Sequence, residues 1–142
     1  MYDPNIVQPM RDEVTRLGFK EVRTPQEVDE AVKAEGTTLV FINSVCGCAA
    51  GSARPALALA TKHSTTPDRM VTAFAGNDVE AVNRARSYFT GFAPSSPAFG
   101  LLRDGELVWM LERWQVEGRG PWDISTALTN AFDQYCAAKI EA

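Results

Sequence analysis

The chain has 142 residues, 45% of them hydrophobic and 23% charged, with a formal net charge of −4. That is enough apolar material for one domain, 1–142, whose core needs no staples. Lysines and arginines are scattered, which argues against a nucleic-acid partner. Residues 1–20 mix acids and bases without the apolar stretch of a secretory signal, and no run approaches membrane-spanning length. The expectation is a cytoplasmic protein without a membrane partner. In that reducing compartment a close cysteine pair points to catalysis or metal binding rather than to a structural bridge.

Ile6, Val7, Met10, Val14 and Leu17 recur at helical spacing, and Gly18 is placed to end that helix. Thr24-Pro25-Gln26-Glu27 opens a second helix, with Thr24 as cap, Pro25 at the first helical position and Glu27 closing a capping box. Val28, Ala31 and Val32 form its apolar face, and Gly36 ends it. Thr37 to Asn43, TTLVFIN, reads as a strand buried on both faces. SVCGCAAGSARP follows at once, and the alanine- and leucine-rich stretch after it reads as a helix kinked or started near Pro55. Met70 to Ala75 is a further strand. Asn77 and Glu80 resemble a capping pair for a helix through Val82, Ala85, Tyr88 and Phe89. AFGLLR and ELVWML flank Asp104-Gly105, a strong hairpin turn. Pro121 opens a last helix with Ile124, Leu128, Phe132 and Tyr135 on one stripe.

Strands separated by helices pair in parallel, and the Asp-Gly hairpin adds an antiparallel edge. The predicted fold is α/β and thioredoxin-like. It has a central four-stranded mixed sheet flanked by helices, with an extra N-terminal helix.

Cys46 falls where a strand feeds a helix, so unpaired backbone N–H groups should face its sulfur and favour the thiolate. Arg54 is a candidate cationic helper; otherwise it simply solvates the helix. Cys46 and Cys48 are two apart, and in a regular helix such side chains point to opposite sides. Gly47 could supply the bend that lets them meet. A bond between them closes a small, strained ring, and strained disulfides are readily reduced. That predicts thiol exchange, isomerisation or removal of a small-thiol cap rather than thioredoxin-type reduction. Pro97 precedes a strand and is a candidate cis proline; otherwise it is an ordinary loop proline. In a thioredoxin arrangement it would pack beside the nucleophilic cysteine, and the backbone of Ser96 would meet the substrate.

NSVCGCAAGSARP, FAGND, YFTGFAPSSPAF and AFDQYC together resemble the bacilliredoxins, small bacterial thioredoxin-like proteins with a Cys-Gly-Cys site. The resemblance runs from VQPMR to Cys136. It implies removal of bacillithiol from mixed disulfides on cytoplasmic client proteins, with weak disulfide isomerase or reductase activity. It implies Cys46 as nucleophile and Cys48 as resolving thiol, with Gly47, Ser96 and cis Pro97 at the substrate. It implies no resident cofactor; bacillithiol or another low-molecular-weight thiol is the co-substrate. Members often carry a histidine after the arginine of the segment matching ERWQVEGR. Here Trp114 follows Arg113, so that imidazole is missing.

Other readings stand beside this one. Three cysteines and His63 could fill a zinc site, but His63 lies more than ~20 Å along the helix that begins at Cys46. An iron–sulfur cluster shared between two Cys-Gly-Cys loops would make the protein a non-enzymatic metal-binding adaptor. Cys136 reads as a small buried hydrophobe. Trp109, Trp114 and Trp122 read as packing residues, or less readily as a partner surface. Asp78 and Glu80 read as helix-start residues rather than acid–base catalysts.

Overall fold

A computed structural model describes residues 1–137; the last five positions of the expected domain, 138–142, lie outside the described residues. α1 (Pro4–Thr15) opens with the Asp3 carboxylate accepting from Asn5 N–H at 2.9 Å. The chain leaves its C-terminal turns through Gly18 at φ 99°, a left-handed conformation that favours glycine. Val7 and Val14 are buried as the periodicity requires, whereas Ile6 faces solvent and Arg11 is buried. β1 (Lys20–Glu21) leads into α2 (Pro25–Lys33). Thr24 Oγ1 caps α2 by accepting from Glu27 N–H at 3.1 Å. The Glu27 carboxylate accepts from Arg23 N–H at 3.1 Å, one residue before the position a capping box would use.

β2 (Thr37–Asn43) is buried along its whole length. After the cysteines, a π-turn (Ala49–Ala53) runs into α3 (Arg54–Ala60). Pro55 has no N–H to give the carbonyl of Gly51, and Arg54 N–H reaches back five residues to Ala49 O. The expected disturbance at Pro55 therefore takes the form of a widened turn ahead of it. β3 (Arg69–Phe74), α4 (Val79–Ser87), β4 (Ala98–Arg103), β5 (Glu106–Leu111), α5 (Arg113–Val116) and α6 (Pro121–Tyr135) complete the order.

The sheet has five strands in the order β1-β3-β2-β4-β5. β1, β3 and β2 run parallel; β4 and β5 join antiparallel. This corrects the four-stranded expectation. The fifth strand is β1, whose two residues Lys20 and Glu21 pair with Val71 and Thr72. It carries no apolar run or alternation, and its pairing depends on the neighbouring strand rather than on its own composition. The hairpin turn forms as expected, with Asp104 at φ 51° and Gly105 at φ 85°.

Alternation along β2 divides the core. Leu39 and Phe41 face α3 and α6 together with Phe99, Leu101, Leu128 and Phe132. Val40 and Ile42 face α2 and α4 with Val28, Val71 and Val82. The Phe41 and Phe99 rings stack at 4.8 Å. Helices thus cover both faces, and β2 delivers its C-terminal end, and the cysteines after it, to one edge of the buried sheet.

Candidate active site

β2 ends at Asn43, and the next residues leave the sheet in a bend before the helical run begins at Gly47. Cys46 O accepts from Ala49 N–H at 3.1 Å and from Ala50 N–H at 3.2 Å. Cys46 thus stands at the capping position, outside the helix, while Cys48 is helical at φ −71°, ψ −26°. This is how thiols two residues apart meet: Cys46 Sγ and Cys48 Sγ are 2.7 Å apart. Gly47 has no positive φ, so the unusual glycine dihedral that the spacing suggested is not what brings them together. Gly47 is exposed, and a Cβ there would meet nothing within 4 Å.

The two thiols differ in acidity. Burial raises Cys46, but hydrogen bonds from Cys48 and the Ser44 hydroxyl, the Ala49 N–H and the charge of Arg113 outweigh it, and the thiol sits below its ordinary value. Burial raises Cys48 as well, and donating to Cys46 and standing beside the negative charge of Cys46 push it higher still, above its ordinary value, against the opposing pull of Arg113. Cys46 is therefore the more acidic thiol of the pair and Cys48 the less acidic, the latter packed against the core. Ionisation precedes attack in thiol chemistry, so this division of roles is what exchange requires.

The cation acting on both sulfurs is Arg113, not Arg54. Arg54 is 3% exposed and engaged elsewhere: Nε donates to Glu13 at 2.7 Å, and Nη1 donates to Asn43 Oδ1 at 3.1 Å and Ser44 O at 2.8 Å. Arg113 opens α5, a helix of four residues capped by the Glu112 and Gln115 side chains. A signal for it was available in the sequence. Counting outward from the Asp104-Gly105 turn, with Arg103 opposite Glu106, places residue 113 beside the residues preceding β4. There Arg113 Nη1 donates to Ser96 O at 3.3 Å, and Arg113 N–H reaches Ser95 Oγ at 3.4 Å. Arg86 holds the same loop from behind, donating to Ser95 O at 3.3 Å. The Ser96–Pro97 peptide bond is cis. The β2–β4 register pairs Ile42 with Ala98, which brings Pro97 level with Asn43, three residues before Cys46.

Other candidates lie elsewhere. His63 Nε2 is 2.8 Å from Asp133 and ties the end of the α3 run to α6. Cys136 is buried at the end of α6 beside Leu128 and Phe132. Among the described residues no group of three or more His, Cys, Asp or Glu side chains could hold a metal. Trp109 packs against the core, but Trp114 and Trp122 are exposed, at 70% and 73%, which corrects their reading as packing residues. Asn77 does not cap α4; it exchanges hydrogen bonds with the backbone of Tyr2 at 2.9 and 3.1 Å. Asp78 takes the capping position, yet its carboxylate turns inward to Arg11 and Phe74 N–H.

Solved thioredoxins share this architecture. The thioredoxin of Malassezia sympodialis matches with a TM-score of 0.57 at 11% identity, covering 84% of this chain and 91% of its own. Oxidised thioredoxin from Plasmodium falciparum matches with a TM-score of 0.55 at 19% identity, covering 84% and 99%. These likenesses define a protein of the thioredoxin fold, and here the fold carries a pair of close thiols. Sequence narrows this. The disulphide isomerase family matches residues 2–136. A bacilliredoxin of Koribacter versatilis is 53% identical over 139 residues, 97% of this chain and 96% of its own. One from Halalkalibacterium halodurans is 53% identical over 133 residues, 94% and 92% of the two chains. The chain belongs to the bacilliredoxin family.

Proposed function

We propose that the protein removes bacillithiol, or a similar small thiol, from mixed disulfides on cytoplasmic client proteins, with Cys46 attacking and Cys48 resolving. The observation that carries this reading is the pair of sulfurs 2.7 Å apart with opposed acidities. The Cys46 thiolate attacks the small thiol's sulfur in the client mixed disulfide. The client sulfur leaves as a thiolate, and a new disulfide joins Cys46 to the small thiol. Cys48 then loses its proton and attacks Cys46 Sγ, expelling the small thiolate and closing a Cys46–Cys48 disulfide. Two electrons from further low-molecular-weight thiol restore the reduced pair. Ser96, held at its carbonyl by Arg113, and Pro97 after it present backbone to the incoming disulfide, with Arg86 bracing Ser95 just before them. Family membership supports bacillithiol as the co-substrate.

The test is a Cys48→Ser variant given a client protein capped with bacillithiol. Its intact mass is expected to rise by one small-thiol adduct mapped to Cys46, while the client is released with a free thiol. An adduct with the client protein instead of the small thiol would show that attack falls on the other sulfur, and no adduct would refute the reading.

A further inference from the structure

We propose that Arg54 is a positioning residue for the Cys46 thiolate, acting through Ser44. The inference rests on the reading of Cys46 as the attacking thiol. Arg54 lies eight positions beyond Cys46, across the π-turn, and its guanidinium returns beneath the cysteine loop. Ser44 is clamped on both sides of its own α-carbon. Its carbonyl accepts from Arg54 Nη1 at 2.8 Å, and its N–H donates at 2.9 Å to Asn43 Oδ1, which also accepts from Arg54 at 3.1 Å. Asn43 is tied in turn to α1, its Nδ2 donating to Met10 O at 3.0 Å, and Glu13 of α1 holds Arg54 Nε at 2.7 Å.

The result is a buried frame in which Ser44 and Arg54 are 6% and 3% exposed. Ser44 Oγ accepts from Cys46 N–H at 3.2 Å, so the frame that fixes Ser44 also fixes the backbone of the nucleophile, and the Ser44 hydroxyl is among the groups that lower the Cys46 thiol. A guanidinium suits this frame because Nη1 meets Asn43 Oδ1 and Ser44 O while Nε, fixed in the same plane, is held by Glu13, a reach across two nitrogens that a single ammonium does not make. The N-terminal helix, an addition to the sheet-and-helix framework, thereby supports the nucleophile's loop. A positive charge two turns into the helix acts here by holding a loop, not by facing the sulfur.

The experiment is a double-mutant cycle read by peptide-resolved alkylation of Cys46 against pH, a measurement independent of turnover. Ser44→Ala is expected to move the alkylation midpoint upward and to slow Cys46 alkylation about 3- to 10-fold at a pH below the wild-type midpoint, the net worth of one ordinary hydrogen bond. Arg54→Met is expected to do the same in the wild-type background and to add nothing in the Ser44→Ala background. Arg54→Lys, which keeps a donor to one acceptor, is expected to fall between, and it carries the same cycle if Arg54→Met does not fold. Equal slowing in both backgrounds, or an unmoved profile in a folded Arg54 variant, would overturn the proposal. Failure of the nucleophile reading would appear separately, as turnover surviving in Cys46→Ser.

Discussion

Cys46→Ser is expected to reduce small-thiol removal from a mixed-disulfide client by on the order of 10³-fold or more while leaving the fold intact. A serine hydroxyl keeps the shape of the side chain and can still pair with Cys48, but it does not ionise at neutral pH and offers no polarisable sulfur to form the mixed disulfide. Every device around Cys46 works on ionisation. The Ser44 hydroxyl, the Ala49 N–H, the Cys48 thiol and the Arg113 charge all favour the thiolate against burial. With oxygen in place of sulfur those devices have no anion to stabilise. Cys46 is only half-buried and lies outside the large apolar clusters, so the cost in stability is expected to stay within about 1 kcal/mol. Turnover measured by release of the small thiol, alongside a denaturation curve, separates the two effects.

Asp78→Ala is expected to cost about 3–5 kcal/mol of stability without touching the cysteines. Arg11 and Asp78 form a bidentate pair at 2.8 and 2.8 Å, with Arg11 5% and Asp78 8% exposed. The same carboxylate accepts from Phe74 N–H at 2.9 Å. Its removal leaves a buried guanidinium with Glu21 at 3.2 Å as its remaining carboxylate, and strands the Phe74 donor. Against a typical total of ~5–15 kcal/mol this is a large share. The pH dependence has a definite sign. Burial raises the Asp78 carboxyl, but the hydrogen bonds and charge of Arg11 and the Phe74 N–H outweigh it, and the group sits below the ordinary carboxylate value. Its stabilisation is therefore complete above the unfolded value of about 4 and is lost as pH falls through the lower folded value. Urea unfolding of the wild type is expected to weaken as pH drops below about 4, and Asp78→Ala to show a shallower decline there.

Much of this architecture is legible from local patterns. β2 is bounded by a continuous β-branched and aromatic run, and the Asp104-Gly105 turn needs two residues tolerant of positive φ. Thr24-Pro25 and Pro121 mark helix starts through chemistry confined to a few neighbours. What stays hidden depends on distant partners. β1 is a strand only because Val71 and Thr72 lie beside it. Arg11 is drawn inward by Asp78, 67 positions later, a pairing that no local pattern announces. Asn77 looks like a cap because nothing in its surroundings reveals Tyr2.

The site shows the same division. Cys46 and Cys48 are visible as chemistry, and the strand-to-helix junction explains why one of them ionises. The identity of the cation is not, because two arginines compete for the role and their destinations are set by tertiary structure. Arg54 is drawn into the frame of Glu13, Asn43 and Ser44, whereas Arg113 arrives through the hairpin from far along the chain. Gly47 invites an explanation by backbone freedom, but the thiols meet because the helix begins one residue later than Cys46. Its openness suits access to the sulfurs instead.

If Cys46 is the acidic, attacking thiol and Cys48 the protonated partner held in reserve, the two must titrate apart. Peptide-resolved alkylation of the reduced wild-type protein across pH tests it most directly, repeated on Arg113→Met. Cys46 is expected to titrate below an ordinary thiol and Cys48 above one, with the Cys46 midpoint moving upward when the Arg113 charge is removed. Equal reactivity of the two cysteines, or Cys48 alkylating at the lower pH, would contradict it.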